Sequence, residues 1–420
     1  MIQSTWKSVN NLDFLKRIYF LITILFCGFL TSCAPENDKK SLQADGDLEL
    51  IKIDLSEARE GKLSEFFEPE IEYIWLKDDS EDAQLNAGLQ KIFFHGDKIL
   101  ALDIFGCKCI HIFDQSGQFL SKIRAYGEGP GKYMEFDDAT IVNEELLLLG
   151  VYPPKLMWFS SDGKFLREEK LKQFVGSGVY SENEKRFYFY SSTREPGEYH
   201  VVSVDDAFQD TLRYLLYQED RYTGNYPSRD NFIKNGGEVF LGKAFQDTIW
   251  SFGEKKMYPK LVFDFGKYAQ STEELKKNSL NLDPLQELEF INKKAKLYFH
   301  PNQWYLTESQ LYSAFKYEEN FYNVFFDRKN QKTSILKGRI LDDLDGSFDA
   351  YSILYHFEDV KVGFKVPGRD LYDVLLNRKE ELGQEAFEEY VKGKGKNFAR
   401  IALQAKDSEN PVLIVYSVKK

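Results

Sequence analysis

Arg124-Ala-Tyr-Gly-Glu-Gly-Pro-Gly-Lys-Tyr133 is the densest turn signal in the chain. Gly127, Gly129 and Gly131 can take positive φ without a Cβ penalty, and Pro130 fixes its own φ among them. Upstream, Cys109-Ile-His-Ile-Phe-Asp114 and Phe119-Leu-Ser-Lys-Ile123 read as two strands joined by a turn at Asp114/Ser116-Gly117. Downstream the pattern restarts with Phe136-Asp-Asp-Ala-Thr-Ile141 and the apolar run Leu146 to Leu149. A hairpin, a glycine-proline crossing and a new set of strands describe one propeller blade handing over to the next.

Repetition supports that reading. Moving from Cys109 to Lys155, a shift of about 46 residues, lays Ile110 on Leu156, Ile112 on Trp158, Phe113 on Phe159, Gly117 on Gly163 and Phe119-Leu120 on Phe165-Leu166. Weaker echoes lie at Tyr199 to Val204, Thr248 to Phe252 and Tyr322 to Asp327. These make about five hairpin cores. Leu48 to Asp54 and Pro411 to Val418 are strands near the two ends, expected to complete one further blade together and so remove an open edge. Six blades is the count that follows, with seven as the alternative. Thr272 to Lys296 and Leu371 to Gln404 break the β rhythm and predict helical excursions on one rim, with Gly393-Lys-Gly-Lys396 as a solvated turn between two helices.

Gly127-Glu-Gly-Pro-Gly-Lys-Tyr133, following a Phe-Asp-x-x-Gly-x-Phe-Leu hairpin, resembles the hallmark of Bacteroidota-type six-bladed β-propeller lipoproteins. Asp247-Thr-Ile-Trp250 ahead of Tyr258 to Tyr268, and Asn410-Pro-Val-Leu-Ile-Val-Tyr416 at the end, extend the likeness over essentially the whole mature chain. Lys132 departs from it, standing where the family usually has an acidic residue. The resemblance implies an all-β fold, a six-bladed β-propeller with short helical insertions, together with export and membrane anchoring. It implies no settled reaction.

The N-terminus reads as a targeting segment. Lys16 and Arg17 precede an apolar run from Ile18 to Leu30, and at about 13 residues this run is too short to span a bilayer. It ends in Leu30-Thr-Ser-Cys33, which resembles a lipobox, so Cys33 is expected to carry the lipid (diacylglyceryl and palmitate). The expected organisation is a signal peptide over 1–32, a polar tether over 33–46 and the propeller over 47–420. The protein is then an outer-membrane lipoprotein facing the periplasm or the cell surface. Cys107 and Cys109 fall on one face of an extended strand, where a bridge between them is disfavoured; buried free thiols are expected.

Composition narrows the function. The 420 residues include 35 Phe and 25 Tyr but only 4 Met, a balance that suits half-buried pleated surfaces. A net charge of −12 argues against nucleic acid, whose phosphates need a concentrated basic face. Gly127 to Gly131 is not a phosphate loop, because Pro130 and a following strand deny it the helix it needs. His95, His111, His200, His300 and His356 have no zinc spacing, and no Gly-x-Ser-x-Gly occurs. Asp137-Asp138, Asp205-Asp206 and Asp342-Asp343 read as solvated turn acids. Tyr126, Tyr133, Tyr152, Trp158 and Trp304 are sugar-stacking candidates, for each of which core packing is the simpler role.

The expectation is therefore a non-catalytic module that binds a glycan, a peptide or an envelope protein, with no catalytic residues, metal ligands or cofactor assigned. Two alternatives stand beside it. One is a calcium-assisted hydrolase or lactonase working in the propeller channel. The other is a structural part of an envelope complex.

Overall fold

The computed structural model describes residues 48–420 apart from positions 87, 194, 225–228 and 354. The proposed signal peptide, Cys33 and the tether lie outside the described residues. Among the described residues the strands form six sheets, numbered I to VI by the first strand of each. Sheet I comprises Lys91–His95, Lys98–Asp103, Cys109–Asp114 and Phe119–Ile123; sheet II comprises Phe136–Val142, Glu145–Gly150, Lys155–Phe159 and Phe165–Lys170. Sheet III contains Ser177–Ser181, Arg186–Tyr190, Tyr199–Asp205 and Thr211–Leu216. Sheet IV runs Phe232–Asn235, Glu238–Leu241, Thr248–Gly253 and Lys256–Asp264; sheet V runs Leu297–Leu306, Gln310–Tyr317, Asn320–Asp327 and Lys332–Leu341. Sheet VI takes Tyr355–Glu358, Lys361–Pro367 and Pro411–Val418 from the end of the chain and Phe67–Trp75 from its beginning.

The repeated phrase in the sequence is the third strand of each sheet, its turn and the fourth strand. Asp114 accepts backbone N–H bonds from Ser116 and Gln118 at 2.8 and 2.9 Å, and Gly117 closes the turn at φ +76°. A Cβ on Gly117 would stand 1.9 Å from the Trp75 carbonyl oxygen, so this turn also sets how closely sheet I approaches sheet VI. Sheet VI lacks the phrase because its fourth strand comes from the other end of the chain.

The expected closure is corrected in one detail. Pro411–Val418 pairs antiparallel with Phe67–Trp75, while Glu49–Lys52 lies parallel to the Lys256–Asp264 strand of sheet IV. Phe67–Trp75 is hard to see in sequence because it contains Pro69 and three glutamates. Those residues are what an outer strand tolerates, since its far edge needs no donor and is protected by charge. Between the two, Arg59–Lys62 pairs parallel to the outer strand of sheet V. The first 28 described positions thus visit sheets IV, V and VI in turn.

The core lies between sheets rather than within one layer. Six hydrophobic clusters occupy the successive interfaces I–II, II–III, III–IV, IV–V, V–VI and VI–I. In the last of these, Ile74, Leu413 and Val415 of sheet VI meet Ile92, Ile99 and Phe113 of sheet I. Middle strands are covered on both faces, so Leu146 to Leu149 is a continuous apolar run without alternation. Each large side chain buried there contributes about 1.5–3 kcal/mol. The arrangement is propeller-like and predominantly β.

The helical excursions are present where the sequence placed them. Thr272–Ser279 and Pro284–Lys294 separate sheets IV and V, and Gly368–Leu382, Gln384–Lys392 and Lys396–Gln404 are inserted within sheet VI. The turn between the last two helices is not wholly solvated as expected. Gly395 is buried against the Tyr390 ring, and a Cβ there would come within 2.2 Å of it.

Candidate functional site: the cavity between the first strands

The first strands of the sheets face one another. Neighbour contacts run from Phe136–Val142 through Ser177–Ser181, Phe232–Asn235 and Leu297–Leu306 to Tyr355–Glu358, which lies against Lys91–His95. Between them is a cavity of about 510 Å³, to which Phe94, Thr140, Val179, Phe232, Trp304 and Phe357 contribute, one from each sheet.

At the starts of these strands the cavity is lined by paired charges. Asp138 is fully buried at a bulge in its strand, and its Oδ1 receives Lys91 Nζ at 2.9 Å and the Ala139 N–H at 2.8 Å. Its Oδ2 accepts the Gly178 N–H at 3.1 Å, so one carboxylate joins sheets I, II and III. Lys91 also donates to the Arg229 carbonyl oxygen at 3.2 Å. Arg229, just ahead of sheet IV, binds Asp137 Oδ1 through Nη2 at 2.7 Å and the Asp137 carbonyl oxygen through Nε at 3.0 Å. Trp304 Nε1 of sheet V donates to the Asp230 carbonyl oxygen at 3.0 Å.

Burial alone would lower the Lys91 ammonium, but Asp138 and Asp230 together hold it above the ordinary lysine value. Burial pushes the Asp138 carboxyl upward as well, which taken alone favours a neutral acid. Three donors converge on that carboxylate, so the charged pair is the form the geometry supports. Burial raises Asp230 to about 6, with Lys91 pulling against the shift and Asp138 reinforcing it. Three carboxylates therefore share two resident cations.

The other end of the cavity is polar and more open. His95 Nε2 lies 3.1 Å from Glu144 Oε2, and Lys234 Nζ lies 2.8 Å from Glu182 Oε1. His356 Nε2 is 2.7 Å from the Asp359 carbonyl oxygen. Phe94 and Phe357 stack at 4.9 Å beside this mouth.

Several sequence readings change here. Asp137 and Asp138 are not solvated turn acids: both lie on a first strand and face arginine or lysine. Asp205 does cap its own turn, accepting the Gln209 and Asp210 N–H groups. Asp342 is drawn into a partly buried loop, where it accepts the N–H groups of Leu344, Asp345 and Ser347. Among the aromatic candidates, Tyr133 and Trp158 are core, Trp304 is buried but contributes to the cavity wall, and Tyr126 and Tyr152 are 44% and 62% exposed. Lys91, Arg229 and Asp230 were missed, because nothing local marks residues contributed by separate sheets.

Cys107 and Cys109 are disulfide-bonded, with Cα atoms 5.2 Å apart. The expectation of free thiols assumed an extended chain, but Lys108 between them has φ +52° and the strand begins only at Cys109. With His111 they form the one metal-ligand cluster among the described residues, and the bonded sulfurs are not available as thiolates. His111 is buried, which lowers its pKa to about 4.

Gly127, Gly129, Pro130 and Gly131 form the crossing from sheet I to sheet II. The three glycines have φ values of +136°, +106° and +69°. The Gly131 N–H donates to Glu168 Oε2 at 3.0 Å, and the same oxygen receives buried Lys155 at 2.8 Å. Tyr133, fully buried, donates its hydroxyl to the Lys108 carbonyl oxygen at 2.7 Å, tying the crossing to the disulfide loop.

Residues 50–417 match the pattern of a domain of unknown function, DUF4934. The chain belongs to the DUF4934 family. Among solved structures, this DUF4934 chain is similar to a protein of Bacteroides fragilis NCTC 9343 that is named as exported: 18% identity, 89% of this chain, 100% of that one, TM-score 0.68. A DUF4221 family member from Bacteroides vulgatus ATCC 8482 shares 10% identity over 84% of this chain and 97% of its own, with a TM-score of 0.48. The first likeness shows a shared fold. No curated protein matches the sequence. Among the described residues no helix is long and apolar enough to cross a membrane.

Proposed function

We propose that this DUF4934 protein is a closed six-bladed β-propeller, exported and lipid-anchored through Cys33, that binds a glycan or peptide at the polar mouth of its channel without catalysis. The observation that carries the binding reading is the charge balance at the closed end of the channel. Asp137 and Asp138 already hold Arg229 and Lys91, and Asp230 lies within the field of both cations. A divalent ion would have to displace them, whereas calcium chemistry needs carboxylates free to converge on the metal. The opposite mouth offers aromatic faces beside hydrogen-bonding side chains, a combination that suits polar ligands with stacking surfaces.

The blade count is supported by the six inter-sheet clusters and by the pairing of Pro411–Val418 with Phe67–Trp75. Export is supported by the Leu30-Thr-Ser-Cys33 segment and by the Cys107–Cys109 disulfide, a bond that persists in oxidising compartments.

The test uses full-length protein in detergent. Soluble glycans and peptides are screened by thermal shift, since a ligand of the folded state alone must raise Tm. Phe94→Ala should abolish the shift of any channel ligand while the protein remains folded. Calcium-dependent turnover of lactones, esters or glycans above the uncatalysed rate would replace this reading with the hydrolase.

A further inference from the structure

A second cavity, of about 550 Å³, lies between sheets III and IV and the segments that follow them. Lys243, in the loop between the second and third strands of sheet IV, is 1% exposed and lines it. The other strongly buried cations with a described ion pair each hold a carboxylate: Lys91 with Asp138, Lys155 with Glu168, Arg186 with Asp210. Lys243 has no hydrogen bond or ion pair from its ammonium among the described residues, and burial alone pulls its pKa down to about 7. An ammonium left unpaired in such a place costs free energy.

The surroundings define what would satisfy it. Trp250 Nε1 and Gln246 Oε1, on side chains lining the same cavity, are buried without partners among the described residues. His200 puts its Nδ1 3.0 Å from the Ser191 carbonyl oxygen, and burial, then the charge of Lys243, lowers it to about 4, so the ring stays neutral. Arg221 at the rim is already paired with Glu273 at 2.9 Å. Asp247 and Glu273 also line the cavity and oppose a second negative charge. Phe245, Phe265 and Phe299 supply apolar walls. One uncompensated ammonium, an indole N–H, neighbouring acids and aromatic walls together select a monoanion with an apolar body rather than a phosphate dianion.

We propose that this cavity binds a small organic monocarboxylate, with its carboxylate against Lys243 and its apolar body along the aromatic walls. Binding then converts a partly neutral amine into an ammonium, so the complex takes up a proton at mildly alkaline pH. Phenylacetate is the probe, titrated calorimetrically into the full-length protein at about pH 8 in two buffers of different ionisation enthalpy. The expected result is saturable binding with net proton uptake, no binding of the methyl ester, and no competition by inorganic phosphate. Lys243→Met, which removes a buried charge and keeps the volume, should fold with an unchanged or higher Tm and bind phenylacetate at least about tenfold more weakly. If that variant does not fold, proton uptake and discrimination against the ester in the wild type decide alone. Absence of binding at about 10 mM, equal binding of the ester, or competition by phosphate overturns the proposal.

Discussion

Asp345 sits 9% exposed under the helices inserted in sheet VI, with the Tyr73 hydroxyl donating to its Oδ2 at 2.7 Å. Burial, then the hydrogen bond and charge of neighbouring Asp342, push its carboxyl up to about 7 from an ordinary 3.8. A raised acid binds more protons folded than unfolded between those two values, so its ionisation costs stability progressively as pH climbs through that window. Asp345→Asn should therefore stabilise the protein at about pH 8, by at most about 4 kcal/mol, and lose the advantage by about pH 4. Melting curves across that range check both the sign and the window. At the channel, Asp138→Ala leaves Lys91 buried beside an empty partner position and should cost about 3–5 kcal/mol in chemical denaturation. Lys91→Met combined with Asp138→Leu should recover most of that loss, because the pair's worth lies in mutual compensation rather than in net attraction. The Asp114 to Gly117 turn was legible in sequence because its chemistry is local, with acceptor, donors and positive-φ residue lying within four positions. The Lys91–Asp138–Arg229 cluster was not, since its members stand 47 and 138 positions from Lys91 and share only a place in space.

The N-terminal strands differ in what they support. Glu49–Lys52 adds an outer parallel strand to a sheet already four strands wide, burying chiefly Ile51. Phe67–Trp75 instead covers the outside of Pro411–Val418, which carries Ile414, Val415 and Tyr416 into two different clusters. Removing residues 49–52 should lower Tm by several degrees and leave a cooperative transition. Truncation after Asn410 should abolish that transition, because it strips sheet VI to two strands and opens the interface with sheet I; circular dichroism and limited proteolysis distinguish the outcomes. Repeated phrases made five sheets readable in sequence. The sixth was expected from Pro411 to Val418 but with the wrong partner, because the strand that pairs with it is acidic, contains proline and lies more than 300 residues away.

For the molecule as a whole, the proposed anchoring rests on Cys33. Cys33→Ala is expected to yield uncleaved or soluble protein that no longer takes up a lipid label, and unchanged membrane partitioning of that variant would refute the anchor. Sheet VI carries a different lesson, about timing. Its third strand, Pro411–Val418, is hydrogen-bonded on both sides, to Lys361–Pro367 and to Phe67–Trp75. A ribosome delivers those eight residues more than 330 positions after Phe67–Trp75 has emerged. Until then that early strand has nothing to pair with, and the sheet I surface that meets Leu413 and Val415 stays wet. Sheet VI therefore cannot lock before Pro411–Val418 has been made, which leaves the early strand without its partner while more than 330 further residues are added.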